Sequence, residues 1–138
     1  MTAAASITIA TPGRIALVNV TADVRQALRR SGLKGGIAIV TVPHTTCGLC
    51  INEDEAGLKD DLARLVTHLV DALEQHGPFH HDRVDDNARA HLTAAILGQS
   101  ATIPVALGEL GLGAWQSLFL VELDGPRSRR LDITFLGD

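Results

Sequence analysis

The chain has 138 residues, 46% of them hydrophobic and 20% charged, a balance that suits one globular domain over residues 1–138 and excludes disordered and fibrous classes. A formal net charge of −4 and an aromatic content of 3%, with no Tyr, leave neither the basic field nor the stacking side chains that nucleic-acid binding needs. No apolar run reaches membrane-spanning length, Met1–Ser6 lacks the regions of a signal peptide, and two cysteines are too few for a secreted disulfide framework; the expectation is a cytoplasmic protein with reduced thiols and neither a membrane nor a nucleic-acid partner.

In chain order, Ile7–Ile9 and Ile15–Val20 are β-branched runs around Thr11-Pro12-Gly13-Arg14, which predicts an opening hairpin. Thr21 or Asp23 is placed to cap a short first helix carrying Val24, Ala27 and Leu28 on one side, with Gly32 as its left-handed terminator. Ile37–Val42, an unbroken apolar run between Gly35-Gly36 and Pro43, predicts a strand buried on both faces. Ala56–Gln75 carries Leu58, Leu62, Leu65, Val66, Leu69 and Leu73 at helical spacing and predicts the longest helix, with Asp54 and Glu55 at its positive end. A polar loop over His76–Asp86 precedes a third helix, Asn87–Leu97, closed by Gly98; Asp86 or Asn87 is its N-cap. Three more strands are predicted around Thr102–Val105, Leu118–Val121 and Leu131–Phe135. The sum is an α+β domain with about three helices on a mixed, largely antiparallel sheet.

Three of the six histidines sit where polar loops meet structured elements: His44 after the buried strand, His81 in the long loop and His91 in the third helix. Imidazole ligates metals and moves protons near neutral pH, yet no HExxH-type spacing is present, so spacing alone also allows three unrelated surface histidines. Asn87 and His91, four apart, share a helix face. Asn52 and Glu53 close an apolar segment near His44 in sequence and are candidates to order a ligand histidine, bind Mg²⁺ or act as a base. Cys47-Gly48-Leu49-Cys50 lacks the second pair of a zinc ribbon and reads as extended chain, whose odd spacing sends the two thiols to opposite faces. The glycines of Gly108–Gly113 match neither a P-loop nor a dinucleotide fingerprint. Arg127, Arg129 and Arg130 form the one dense basic cluster, a natural seat for phosphate oxygens in an acidic protein.

Several of these segments, in order, resemble one family. His44-Thr45-Thr46, Ile51-Asn52-Glu53, His81-Asp82, Asp86 with His91, Leu97-Gly98-Gln99-Ser100, Leu112-Gly113-Ala114-Trp115-Gln116 and Asp124-Gly125-Pro126-Arg127-Ser128-Arg129 look like the YjbQ-type family across nearly the whole chain. Members are described as secondary thiamine-phosphate synthases, which weakly join a hydroxymethylpyrimidine diphosphate to a thiazole phosphate and release pyrophosphate, and as compact trimers. The resemblance implies a shared cluster of His44, His81 and His91 holding a divalent metal, Mg²⁺ or Zn²⁺. It also implies Asn52, Glu53 and Asp86 in catalysis, and Thr45, Thr46, Ser100, Trp115, Gln116, Arg127 and Arg129 on a small phosphorylated substrate. Cys47, Cys50 and Ala114 depart from the family pattern. The thiazole nitrogen needs no deprotonation, so three histidines exceed what that reaction requires. Two alternatives therefore stand beside it: a hydrolase with a three-histidine metal site, and a phosphate-binding protein without turnover.

Overall fold

The computed structural model describes residues 1–138. The order is β1 (Thr2–Ala10), β2 (Ala16–Asn19), α1 (Thr21–Ser31), β3 (Gly35–Thr41), β4 (Cys47–Asn52), α2 (Ala56–His68), α3 (Asp71–Glu74), a 3₁₀ turn (His80–Arg83), α4 (Ala88–Leu97), β5 (Ser100–Ala106), β6 (Glu109–Leu110), β7 (Ser117–Glu122) and β8 (Ser128–Gly137). The strands form a five-stranded sheet, β1-β8-β3-β5-β6, and a three-stranded sheet, β2-β7-β4. Every pairing is antiparallel, so the α+β class with antiparallel sheets and three main helices stands. No helix is long and apolar enough to cross a membrane.

The strand buried on both faces is β7, not the run Ile37–Val42. Leu118 and Leu120 enter a core shared with α1, β3, β5 and β8. Phe119 and Val121, pointing the other way, meet Val66 of α2 and Ala90 and Ala94 of α4. In β3 only Ala38 and Val40 are buried, while Ile37 and Ile39 are half-exposed. Uninterrupted apolarity thus marks two strands alike, and only the stacking of layers tells them apart. The neighbouring strand β4 splits its cysteines as predicted, Cys47 to the larger core and Cys50 toward the smaller.

Three local expectations are corrected. The opening hairpin does not form: β1 pairs with β8 and β2 with β7, because long-range partners take both strands. Neither Thr21 nor Asp23 caps α1. Asn19 Oδ1 accepts the Thr21 N–H at 3.0 Å, and the Thr21 hydroxyl accepts the Leu118 N–H at 2.8 Å instead. Gly32 does close the helix, at φ 76°. The long helix breaks after His68, where Arg89 of α4 donates to the Thr67 carbonyl at 2.5 Å and also binds Asp71. That guanidinium takes the carbonyl which Asp71 N–H would meet in a continuous helix. Glu55 caps α2 as its position suggested, accepting from Gly57 and Leu58 N–H at 2.9 and 2.6 Å. The leucine stripe is only partly covered: Leu65 and Leu73 stay exposed.

Candidate functional site

Three chain segments converge at one end of the β4–β7 ribbon. The loop His44–Thr46 leaves β3 for β4, the turn after Glu122 leads from β7 into β8, and Asp85–Asn87 lead into α4. Between them lies a pocket of about 380 Å³ with no hydrophobic residue in its lining; His44, Thr45, Asn87, His91, Arg127 and Arg129 face it, with Asp85 as its carboxylate. The turn requires Gly125: a Cβ there would lie 2.4 Å from the Gly13 carbonyl oxygen and 2.7 Å from the Glu122 side chain.

Beneath the pocket is a buried ion pair. Glu122 is fully buried and Arg129 nearly so. Arg129 donates from Nε to Glu122 Oε2 at 2.8 Å and from Nη2 to Oε1 at 2.5 Å. The Glu122 carboxylate also accepts the Thr11 hydroxyl at 2.8 Å and the Leu123 and Asp124 N–H groups at 3.0 Å each. Burial pushes the Glu122 pKa up, but the bonds from Arg129, Asp124 and Thr11 outweigh it and hold the carboxyl below its usual range. Arg129 Nη2 also donates to the Thr46 hydroxyl at 2.8 Å and its carbonyl at 3.2 Å. Thr46, which also lines the pocket, thus helps to hold Arg129 in place. No buried side-chain nitrogen or oxygen lacks a partner, so Arg129 Nη1, which makes no protein bond, keeps access to solvent, and Arg129 is among the residues that line the pocket.

Arg127 is held differently. Its Nε donates to the Asp124 carbonyl at 2.7 Å and its Nη2 to Asp124 Oδ2 at 2.9 Å, while half of the side chain stays exposed. Asp124 Oδ2 also accepts Asn87 Nδ2 at 3.0 Å, and Asn87 Oδ1 lies 3.1 Å from His81 Nε2. The His81 and His91 rings meet edge to face with centroids 4.7 Å apart. Asn87 stands at the N-cap position of α4 without capping it; Asp82 Oδ1 accepts the Ala88 N–H at 3.1 Å instead, which leaves the Asn87 amide to the site. Across the pocket, His44 Nε2 accepts the Arg130 N–H at 2.8 Å. Burial lowers the His44 pKa, and the charges of Arg129 and Arg130 lower it further, so its ring is neutral at pH 7.

The structure thus brings together His44, Thr45, Thr46, His91, Arg127 and Arg129, with His81 against His91. It does not present three histidine lone pairs to one point: a backbone N–H occupies His44 Nε2, so the neutral ring carries its proton on Nδ1. No three His, Cys, Asp or Glu side chains are grouped to hold a metal ion. The donor set does not fit a three-histidine centre. Asp86 lines another cavity with Arg14 and Arg89, its backbone carbonyl accepting from Arg14, and its neighbour Asp85 lines the pocket instead. Ser100 opens β5, exposed and outside this lining. Asn52 and Glu53 lie at the far end of β4, roughly 17 Å of extended chain from Cys47, where Asn52 pairs with Ser117 beside Trp115 and Gln116. Gln116 there accepts the Gly113 N–H at 2.8 Å. Glu122 and Asp124 were missed by sequence reasoning. Glu122 had a signal, a lone carboxylate ending the apolar run Leu118–Val121, which demands a nearby cation.

A family model described as UPF0047 protein YjbQ-like matches residues 5–138. The chain is 39% identical over 127 residues to a UPF0047 protein of Methanothermobacter thermautotrophicus, covering 92% of this chain and 87% of that one. It is 31% identical over 136 residues to the UPF0047 protein YugU of Bacillus subtilis, covering 96% and 98%. Among solved structures, a YbjQ-like protein of unknown function from Sulfolobus solfataricus superposes with a TM-score of 0.91 at 37% identity over 100% of this chain and 99% of that one. A hypothetical protein from Aeropyrum pernix does so with a TM-score of 0.92 at 39% identity over 99% of each. Matched over nearly its whole length, the chain belongs to the YjbQ-like UPF0047 family.

Proposed function

We propose that the pocket binds the phosphate or diphosphate group of a small phosphorylated substrate, and that the reaction is the diphosphate-releasing synthesis of thiamine phosphate which the family resemblance implies. The observation that carries the reading is the Arg129 guanidinium: Glu122 and Thr46 fix three of its N–H bonds, and Nη1 is left for an anion. Arg127 adds a second, half-exposed guanidinium, and neutral His44 adds an Nδ1–H donor.

The chemistry suits that cradle. The bond from the pyrimidine methylene carbon to the diphosphate oxygen breaks, and the oxygen keeps the electron pair. The thiazole nitrogen supplies its lone pair to form the new C–N bond, so no base is needed. Negative charge gathers on the leaving diphosphate, where preorganised donors stabilise it most. Mg²⁺ arriving with the diphosphate would neutralise further charge. A three-histidine hydrolytic centre draws less support, because the Arg130 N–H holds His44 Nε2. The trimer implied by the resemblance is proposed likewise; Leu65, Leu73, Ile96 and Trp115 are exposed apolar side chains that an interface would cover, and light scattering reads the mass directly.

Calorimetric titration with pyrophosphate tests the site. Binding is expected, and Arg127→Ala weakens it about tenfold or more, as loss of a charged hydrogen bond does. No binding at millimolar pyrophosphate, or equal binding by the variant, overturns the reading. The two thiamine precursors with Mg²⁺ then test turnover: thiamine phosphate is the expected product, and binding without product reduces the protein to a phosphate binder.

A further inference from the structure

The site contains two histidines whose ring nitrogens are fixed by groups with no choice of role. A backbone N–H can only donate, so the Arg130 N–H at 2.8 Å makes His44 Nε2 an acceptor. The second histidine is fixed through a longer chain. Arg127 binds Asp124 through Nε and Nη2, and a carboxylate so held is an acceptor only. Asn87 must therefore turn its Nδ2 toward Asp124, at 3.0 Å, and its Oδ1 toward His81 Nε2, at 3.1 Å. An amide oxygen cannot donate, so His81 Nε2 carries the hydrogen. Asn87 is buried and released from capping its helix by Asp82, so its amide has no competing task.

We infer that Asn87 is a positioning residue that holds His81 in the Nε2–H tautomer, opposite to the Nδ1–H tautomer of His44, and at the same time braces Asp124 under Arg127. The neutral site then holds one histidine that donates from Nδ1 and one whose free lone pair is Nδ1. His44 is the fixed donor toward an anion. His81 packs edge to face on His91, a residue of the pocket lining, and stands outside that lining itself. The anion half of this assignment rests on the proposed phosphate reading; the tautomers do not.

Long-range ¹H–¹⁵N correlation spectra of the labelled full chain at pH 8 read the tautomers directly. The expected result is a single neutral form for each ring, with the proton on Nδ1 in His44 and on Nε2 in His81. Asn87→Asp keeps an oxygen toward His81 and keeps its Nε2–H tautomer, but sets two carboxylates together under Arg127 and lowers pyrophosphate affinity about tenfold. Asn87→Leu removes both arms, returns His81 to a mixture of tautomers and leaves the His44 signals in place, which also certifies the fold. A mixture or an Nδ1–H form of His81 in the unmodified protein overturns the inference, as does a His81 tautomer unmoved in Asn87→Leu. Failure of pyrophosphate to bind, with both tautomers as stated, counts against the phosphate reading alone.

Discussion

Arg127 and Arg129 leave the same turn two residues apart and end in opposite surroundings. Arg129 is 4% exposed, against a carboxylate that is 0% exposed, whereas Arg127 is 53% exposed, against Asp124 at 15%. Equal chemistry therefore does unequal jobs. A buried pair with every other lone pair filled is a fixed part of the frame, costly to break. The exposed pair adds little stability, since water and salt screen it, and half of its arginine side chain stays open to solvent. One arginine is part of the fixed frame of the pocket, and the other lies at its solvent-facing side.

Removing the inner arginine separates these roles most sharply. Arg129→Met leaves Glu122 charged, buried and unpaired, and about 3–5 kcal/mol of stability goes with it, which urea unfolding measures. Glu122→Met with Arg129→Met together recovers much of that loss, because apolar side chains of similar volume replace a buried pair at small cost. Arg127→Ala stays within about 1 kcal/mol of the parent in the same assay while losing pyrophosphate affinity. Equal destabilisation by the two single arginine variants would break the distinction.

Acid sharpens the same contrast with a smaller effect. The folded pKa of Glu122 lies below its usual 4.5, so its contribution is complete above pH 4.5 and is lost as the pH falls through the folded value. His44 has a folded pKa below its usual 6.5. The unfolded chain takes up that proton first, so stability falls with pH from 6.5 downward to the folded value. Urea midpoints from pH 8 to pH 3.5 are thus expected to fall in two stages. His44→Gln, whose amide oxygen still accepts the Arg130 N–H, removes the His44 share of the upper stage and leaves the lower one. A lower stage unchanged in the Glu122→Met, Arg129→Met double variant would show that other carboxylates carry the acid response. The Cys47 thiol, pushed up to about 11 by burial, stays outside this range.

What the residues reveal in advance follows from how local each signal is. Gly32, Glu55 and the Cys47–Cys50 alternation are decided within a few residues and read correctly. β1 and β2 find partners a hundred residues or more away along the chain, which no turn signal between them reports. Asp86 is named as a site residue by the family resemblance alone, whereas Asp85 lines the pocket, and the helix-start N–H of Ala88 is capped by Asp82. Asn87 and Asp124 became site residues only when that cap freed one and the Arg127 turn folded onto the other. His44, Arg127 and Arg129 could be singled out, but the burial of one arginine, the exposure of the other and the tautomer of His44 depend on Glu122, Asp124 and the Arg130 N–H.

Asn52, Glu53, Trp115 and Gln116 set the last and smallest test. They share the family's motif positions with the histidines, yet this chain places them at the opposite end of β4 and β7. Trp115 is 76% exposed, so Trp115→Ala is expected to shift stability by no more than about 0.5 kcal/mol. It is also the one Trp in a chain without Tyr, which makes its emission a report from that end alone. Within one chain the ends stay apart, and emission is expected to be unchanged when pyrophosphate saturates the arginine pocket. A shift that follows the binding isotherm and vanishes in Arg127→Ala would instead place Trp115 of a neighbouring copy against the pocket, and the two groups of motif residues would then form one site by assembly rather than by folding.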